Sequence, residues 1–103
     1  MNTKISEEKV EAIRSELEIA GKGLWSDLYM ELQDDGDCLF ISVEIPKYCS
    51  PQEMSQISKL IKSIIEPKIP IITLENKDYY PTYSAGLKID GKVVYGIFHS
   101  SID

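Results

Sequence analysis

The side chains able to carry a reaction are few: a single histidine, His99, the two cysteines Cys38 and Cys49, and Ser100 next to the histidine. His99 with Cys49 or Ser100 would form a nucleophile and base pair, the imidazole taking the proton of the thiol or hydroxyl. Nothing in the sequence supplies the third group that orients such a base, and His99 falls near the end of the chain, where a surface histidine is the plainer account. Metal chemistry has no better footing. One imidazole, two thiols eleven positions apart and scattered carboxylates have no recognised ligand spacing, so no metal and no cofactor are expected. Gly21-Lys22-Gly23 is too short for a phosphate-cradling loop and precedes a predicted strand, the reverse of the strand, loop and helix order such a loop needs.

Aromatic rings among acids carry more information. Trp25, Tyr29 and Phe40 fall on the outward side of a predicted hairpin together with Asp27, Glu31 and Glu44, and Tyr79, Tyr80 and Tyr83 crowd one predicted loop with Asp78. Tyrosine and tryptophan offer large contact area at small entropic cost, which is why binding surfaces use them. Any one of these rings is better explained as cover for the second face of a sheet or as packing beneath the loop. As a set they point to a protein-binding surface, with Trp25, Asp27, Tyr29, Glu31, Phe40, Glu44, Asp78, Tyr79 and Tyr80 as its candidates.

Charge narrows the partner. The 11 Lys+Arg against 17 Asp+Glu, net −6, disfavour nucleic acid, whose binding rests on cation to phosphate contacts, and disfavour anionic membrane surfaces for the same reason. A basic protein is compatible, although acidity also serves plain solubility. The N-terminal residues lack the apolar run of a signal peptide and no stretch is long enough to span a bilayer, so a cytoplasmic chain with both cysteines as reduced thiols is expected.

The elements that must position these residues read as follows. Ser50, Pro51 and Glu53 spell an N-cap, a first-turn proline and a capping box, so a helix is predicted from here to Glu66. Its stripe of Met54, Ile57, Leu60, Ile61, Ile64 and Ile65 must be covered by a sheet. An earlier helix runs from Ser6 to Ala20, with Ile5 stapling onto Val10 across the Ser6 cap, Val10, Ile13, Leu17 and Ala20 inward, and Gly21 and Gly23 ending it. Its outward face carries Glu7, Glu11 and Glu18, relieved by Arg14. Leu24 to Gln33 alternates with period two, placing Leu24, Leu28, Met30 and Leu32 on one side and Trp25, Asp27, Tyr29 and Glu31 on the other. After an Asp34-Asp35-Gly36-Asp37 turn, Cys38 to Ile45 directs Leu39, Ile41, Val43 and Ile45 inward. Matching the two core faces pairs Gln33 with Cys38, Leu32 with Leu39 and Met30 with Ile41, and so sets Asp27 opposite Glu44.

Pro67 and Pro70 mark the exit of the second helix. Ile69 to Glu75 reads as a short strand buried on both faces, Asn76 to Thr82 as a loop, and Tyr83 to Ile89 with Lys92 to His99 as a hairpin turning at Asp90-Gly91. The apolar groups on both sides of the last strand predict an internal or half-covered position. The expected fold is a single α+β domain of order α-β-β-α-β-β-β, with a mainly antiparallel sheet of about five strands and both helices on one face.

A small acidic domain whose Trp25 and Tyr29 stand among Asp27, Glu31 and Glu44 resembles the bacterial toxin-immunity proteins, including those of contact-dependent growth inhibition. That resemblance implies a non-enzymatic protein that binds and neutralises a cationic toxin domain, often a nuclease. Acidic secretion chaperones are a second resemblance, implying an adaptor. Their usual three strands between the first two helices contrast with two here. A small enzyme or ligand-binding domain built on the His99 region is the alternative from another class.

Overall fold

The computed structural model describes residues 5–33, 36, 38–69, 72–74, 77–79 and 82–99, with 72–74, 77–79, 82, 98 and 99 described as backbone only. Helix α1, Glu7–Ala20, starts at Ser6, whose hydroxyl accepts from the Lys9 N–H, and turns Val10, Ile13 and Leu17 into the core. Ile5 is buried too, and its N–H donates to the Gly36 carbonyl at 2.8 Å, tying the start of α1 to the β1–β2 connection. Helix α2, Pro51–Ile65, has the full capping box between Ser50 and Glu53 and buries Ile57, Ser58, Ile61 and Ile65. One turn of 3-10 helix, Glu66–Lys68, follows it and ends at buried Ile69.

Strands β1 (Ser26–Gln33), β2 (Cys38–Glu44), β5 (Thr82–Ile89) and β6 (Lys92–His99) form one mixed sheet in the order β1-β2-β5-β6. β1 and β2 are antiparallel, as are β5 and β6, and the two hairpins join through the parallel pair β2–β5. The inward faces of these strands meet the helices in one core, whose fully buried side chains include Ile13, Leu17, Leu39, Ile41, Ile61 and Leu87. Each such burial stabilises the fold by roughly 1.5–3 kcal/mol.

The single α+β domain with two helices stands, and the five-stranded, mainly antiparallel sheet is corrected to four mixed strands. Ile69 to Glu75 does not enter that sheet. Among its described residues Ile72–Leu74 form β3, which pairs with β4, Lys77–Tyr79, in a separate two-stranded ribbon. β4 also replaces part of the predicted Asn76–Thr82 loop, while Asp34, Asp35, Asp37, Tyr80 and Ser100 lie outside the described residues.

The β1–β2 register agrees with the prediction at Gln33–Cys38, Leu32–Leu39 and Met30–Ile41 and departs from it at the start of β1. There Ser26, not Asp27, faces Glu44, because a bulge intervenes between Ser26 and Tyr29. Asp27 is the extra residue and has φ 51°, a left-handed conformation that aspartate enters more readily than most side chains. β1 also starts later than predicted. The Leu24 and Trp25 N–H groups both donate to the Gly21 carbonyl, and Gly23 takes φ 81°, which favours glycine. Leu24, expected inside, is therefore exposed, and Trp25, expected outside, packs half-buried against the core. β6 is an edge strand and so half-covered, with Ile97 in the core and Tyr95 packed against it, while a second bulge near Lys88 leaves Val93 and Val94 exposed.

Candidate protein-binding surface

Core-lining side chains alternate along β1 and β2 with side chains turned the other way, and the second face of the sheet is read from these. On β1 these are Tyr29, Glu31 and Gln33, and on β2 Phe40, Ser42 and Glu44. The register sets Glu31 beside Phe40 and Tyr29 beside Ser42, then continues through Ser42 to Gly86 on β5 and Gly96 on β6. Tyr29 and Phe40 meet edge to face, ring centres 6.1 Å apart at 63°, a geometry favoured by aromatic quadrupoles. Tyr29 remains 48% exposed, whereas Ser42 beneath the strip is only 3% exposed. Across the sheet, a Cβ on Gly86 would stand 3.3 Å from Val93, so the missing side chain gives Val93 its seat on the face. The result is a strip of Tyr29, Phe40 and Val93 over buried Ser42 and Gly86, crossing four strands.

Glu31 supplies its charge. The Gln33 side-chain amide donates to this carboxylate at 2.9 Å. The Glu31 charge, then partial burial and a hydrogen bond to the same carboxylate, raise the Tyr29 phenol above its ordinary pKa. Tyr29 therefore presents an O–H beside an anion. Further acids, Glu7, Glu8 and Glu11, lie at or near the start of α1, the end tied by Ile5 to the β1–β2 connection. Glu11 is paired with Arg14 at 3.3 Å, and Glu16 on the same helix reaches Lys68 at 2.7 Å.

The other candidates part company with this strip. Trp25 and Asp27 line a cleft of about 350 Å³ at the end of α1, together with Arg14, Glu18 and Lys22. Gly21 forms its floor, since a Cβ there would overlap the indole. Glu44 is turned to internal use. Its carboxylate accepts the Asp90 N–H at 2.6 Å and the Gly91 N–H at 3.4 Å, holding the β5–β6 turn against the end of β2. Tyr83, grouped in the sequence with a loop, is a core residue of β5, 2% exposed. Its hydroxyl donates to Glu66 at 2.8 Å, and burial first, then that bond and the Glu66 charge, push its pKa far above 10.0. The side chains of Asp78 and Tyr79, and all of Tyr80, lie outside the described residues.

Val93, and the Gly86 that seats it, are what the sequence reading missed. A glycine inside an alternating strand was the available signal, since it marks a place where a neighbour approaches closely.

Cys38 and Cys49 are separate, half-buried thiols. Burial, then the neighbouring Glu53 charge, raises the Cys49 pKa, which keeps it protonated and a poor nucleophile. His99 closes β6, backbone-paired with Tyr83, at the predicted end of that strand. Among the described residues no three His, Cys, Asp or Glu side chains converge as metal ligands, and no helix is long and apolar enough to cross a membrane. Comparison with protein-family models, with curated proteins and with solved structures finds no match to the chain.

Proposed function

We propose that the chain is a non-enzymatic protein-binding domain, an immunity-type inhibitor whose open sheet face takes a basic toxin domain. The observation that carries this reading is the Tyr29–Phe40 ring pair, its tyrosine exposed and its phenylalanine half-buried, with the Glu31 carboxylate at its side. An amphipathic pair fixed by a sheet loses little entropy on binding, and a neighbouring anion selects a cationic partner. The net charge of −6 steers such a partner from a distance, and steering weakens as salt shortens the Debye length.

The test co-expresses the chain in a bacterial host with the product of the reading frame next to its own. Support is growth arrest by that product alone, relief by this chain, and loss of relief with Tyr29→Ala/Glu31→Gln. Tyr29→Ala alone should weaken binding by about 1–3 kcal/mol. The association rate should fall about tenfold or more between low and physiological salt. A neighbouring product that neither arrests growth nor binds, or a complex indifferent to both substitutions and to salt, overturns the reading.

A further inference from the structure

One end of the molecule gathers exposed apolar side chains, Val93 at the far end of the strip among them. Because β1 opposes β2, β5 runs with β2 and β6 opposes β5, the connections α1–β1, β2–α2 and β5–β6 all fall at the end where β1 begins. Ile19, 69% exposed, Leu24, Tyr48, 91% exposed, Val93, 60% exposed, and Val94 stand in or beside these connections. Among the described residues the one other exposed large hydrophobic is Tyr29, which lies within β1. Separate segments are knitted together here. Leu24 and Trp25 share a cleft with Ile45 and Pro46, and Leu24 lines a second with Ile57 and Leu60 of α2. The end of β2 is bound to the last hairpin by the Glu44 carboxylate and by the Ile45 N–H, which donates to the Lys88 carbonyl at 2.9 Å. Apolar surface concentrated in this way marks an interface.

Charge identifies what covers it. This end holds Arg14, Lys22, Lys47, Lys88 and Lys92 against the carboxylates Glu18, Asp27, Glu44, Glu53 and Asp90. Five cations against five anions leave no net charge here, and so all of the chain's −6 elsewhere. Two copies repel one another over the rest of the surface, but at this end they meet without net charge and with both signs present. A two-fold contact brings a patch onto itself, so it needs a patch that is apolar and tolerant of its own charge. A basic partner gains little at a place that carries no net charge.

We propose that two copies of the chain associate through this end in a two-fold dimer, leaving the Tyr29–Phe40–Glu31 surface of each copy free. This inference does not rest on the toxin-binding reading. Sedimentation equilibrium over protein concentrations from about 1 to 500 µM tests it, since a dimer of this kind shows itself by mass action. Expected is a mass rising from 11.7 kDa towards twice that value, with a dissociation constant little changed by salt. Ile19→Lys/Tyr48→Ser should weaken the dimer about tenfold or more. Both positions are exposed, and the lysine enters the last turn of α1, which has no cation of its own, so circular dichroism and the melting curve of the dilute monomer should show the fold intact. Tyr29→Ala should leave the dimer unchanged. A chain that stays monomeric throughout the range overturns the inference, as does a dimer weakened by Tyr29→Ala and untouched by the double substitution.

Discussion

Removing the Glu44 carboxylate should destabilise the fold, although a strand-pair reading of the sequence would have it do the reverse. If Asp27 faced Glu44, two like charges would oppose each other, and neutralising both would raise the melting temperature. In the structure Ser26 faces Glu44, and the carboxylate accepts the Asp90 and Gly91 N–H groups at 2.6 and 3.4 Å. These amides belong to a turn whose central residues have φ 53° and 78°, so Glu44 steadies backbone that pays conformational strain at a non-glycine position. A hydrogen bond to a charged group contributes roughly 1.5–3 kcal/mol, but the second bond is long and the carboxylate only half-buried, so Glu44→Ala should cost about 1–2 kcal/mol. For a domain of this size that lowers the melting temperature by roughly 5–15 °C. Glu44→Gln keeps an acceptor for Asp90 and should cost about half as much. Asp27→Asn should stay within about 0.5 kcal/mol, since asparagine tolerates the same left-handed conformation. Thermal melting followed by circular dichroism gives the energies, and amide exchange at Asp90 and Gly91 shows whether the turn has loosened. An unchanged melting temperature for Glu44→Ala, or a higher one for Asp27→Asn/Glu44→Gln, would refute the reasoning.

Three further outcomes follow from geometry given above. Tyr83→Phe removes the bond to Glu66 and should cost about 1–2 kcal/mol. The raised Tyr83 pKa means that its stabilisation is whole below the ordinary 10.0 and lost as pH climbs above it, because the unfolded chain then releases the proton first; alkaline melting curves of Tyr83→Phe should fall less steeply than those of the parent. Gly21→Ala puts a methyl group where the Trp25 ring lies; its cost should be about 1–3 kcal/mol, and the emission of the chain's one tryptophan should shift to the red as the ring is displaced, an unshifted spectrum counting against the packing described. Glu31→Gln should lower the Tyr29 titration midpoint, followed by phenolate absorbance, and a midpoint that does not move would show that Glu31 is not the group holding it up.

What could be read from the sequence was local. Ser6, Ser50, Pro51 and Glu53 announce helix starts because capping is settled within one turn. The middle of the first hairpin could be registered because a one-residue slip would turn Leu32, Met30, Leu39 and Ile41 out of the core. The parallel pairing of Cys38–Glu44 with Thr82–Lys88 left no local mark, since no residue in either strand states which edge it will join. The Asp27 bulge was hidden for a similar reason: the alternation runs straight through it, and only the Gly21 carbonyl, by capturing both the Leu24 and Trp25 N–H groups, shifts the phase. Of the predicted surface, Tyr29, Glu31 and Phe40 were legible from alternation. Glu44 was not, because its partners lie 46 and 47 residues away.

The parallel seam between β2 and β5 also bears on how the chain folds. Each side of it is a helix and a hairpin, α1 with β1 and β2, α2 with β5 and β6, and within each hairpin the contacts are close in sequence. Among the described residues the seam is the one ladder that must close over a distance, Cys38 meeting Thr82. Closing a loop of that length costs roughly 3 kcal/mol of chain entropy beyond a constant, which must be met before the pairing returns any energy. The two halves are therefore expected to gain structure before their union, and truncation of Leu39, Ile41, Val43 or Leu87, whose side chains line the closing strands, should slow folding as well as weaken the fold. Until that step is complete, the facing edges of both hairpins are open templates for a strand of another molecule, so crowding during synthesis threatens this chain at its centre more than at its rim.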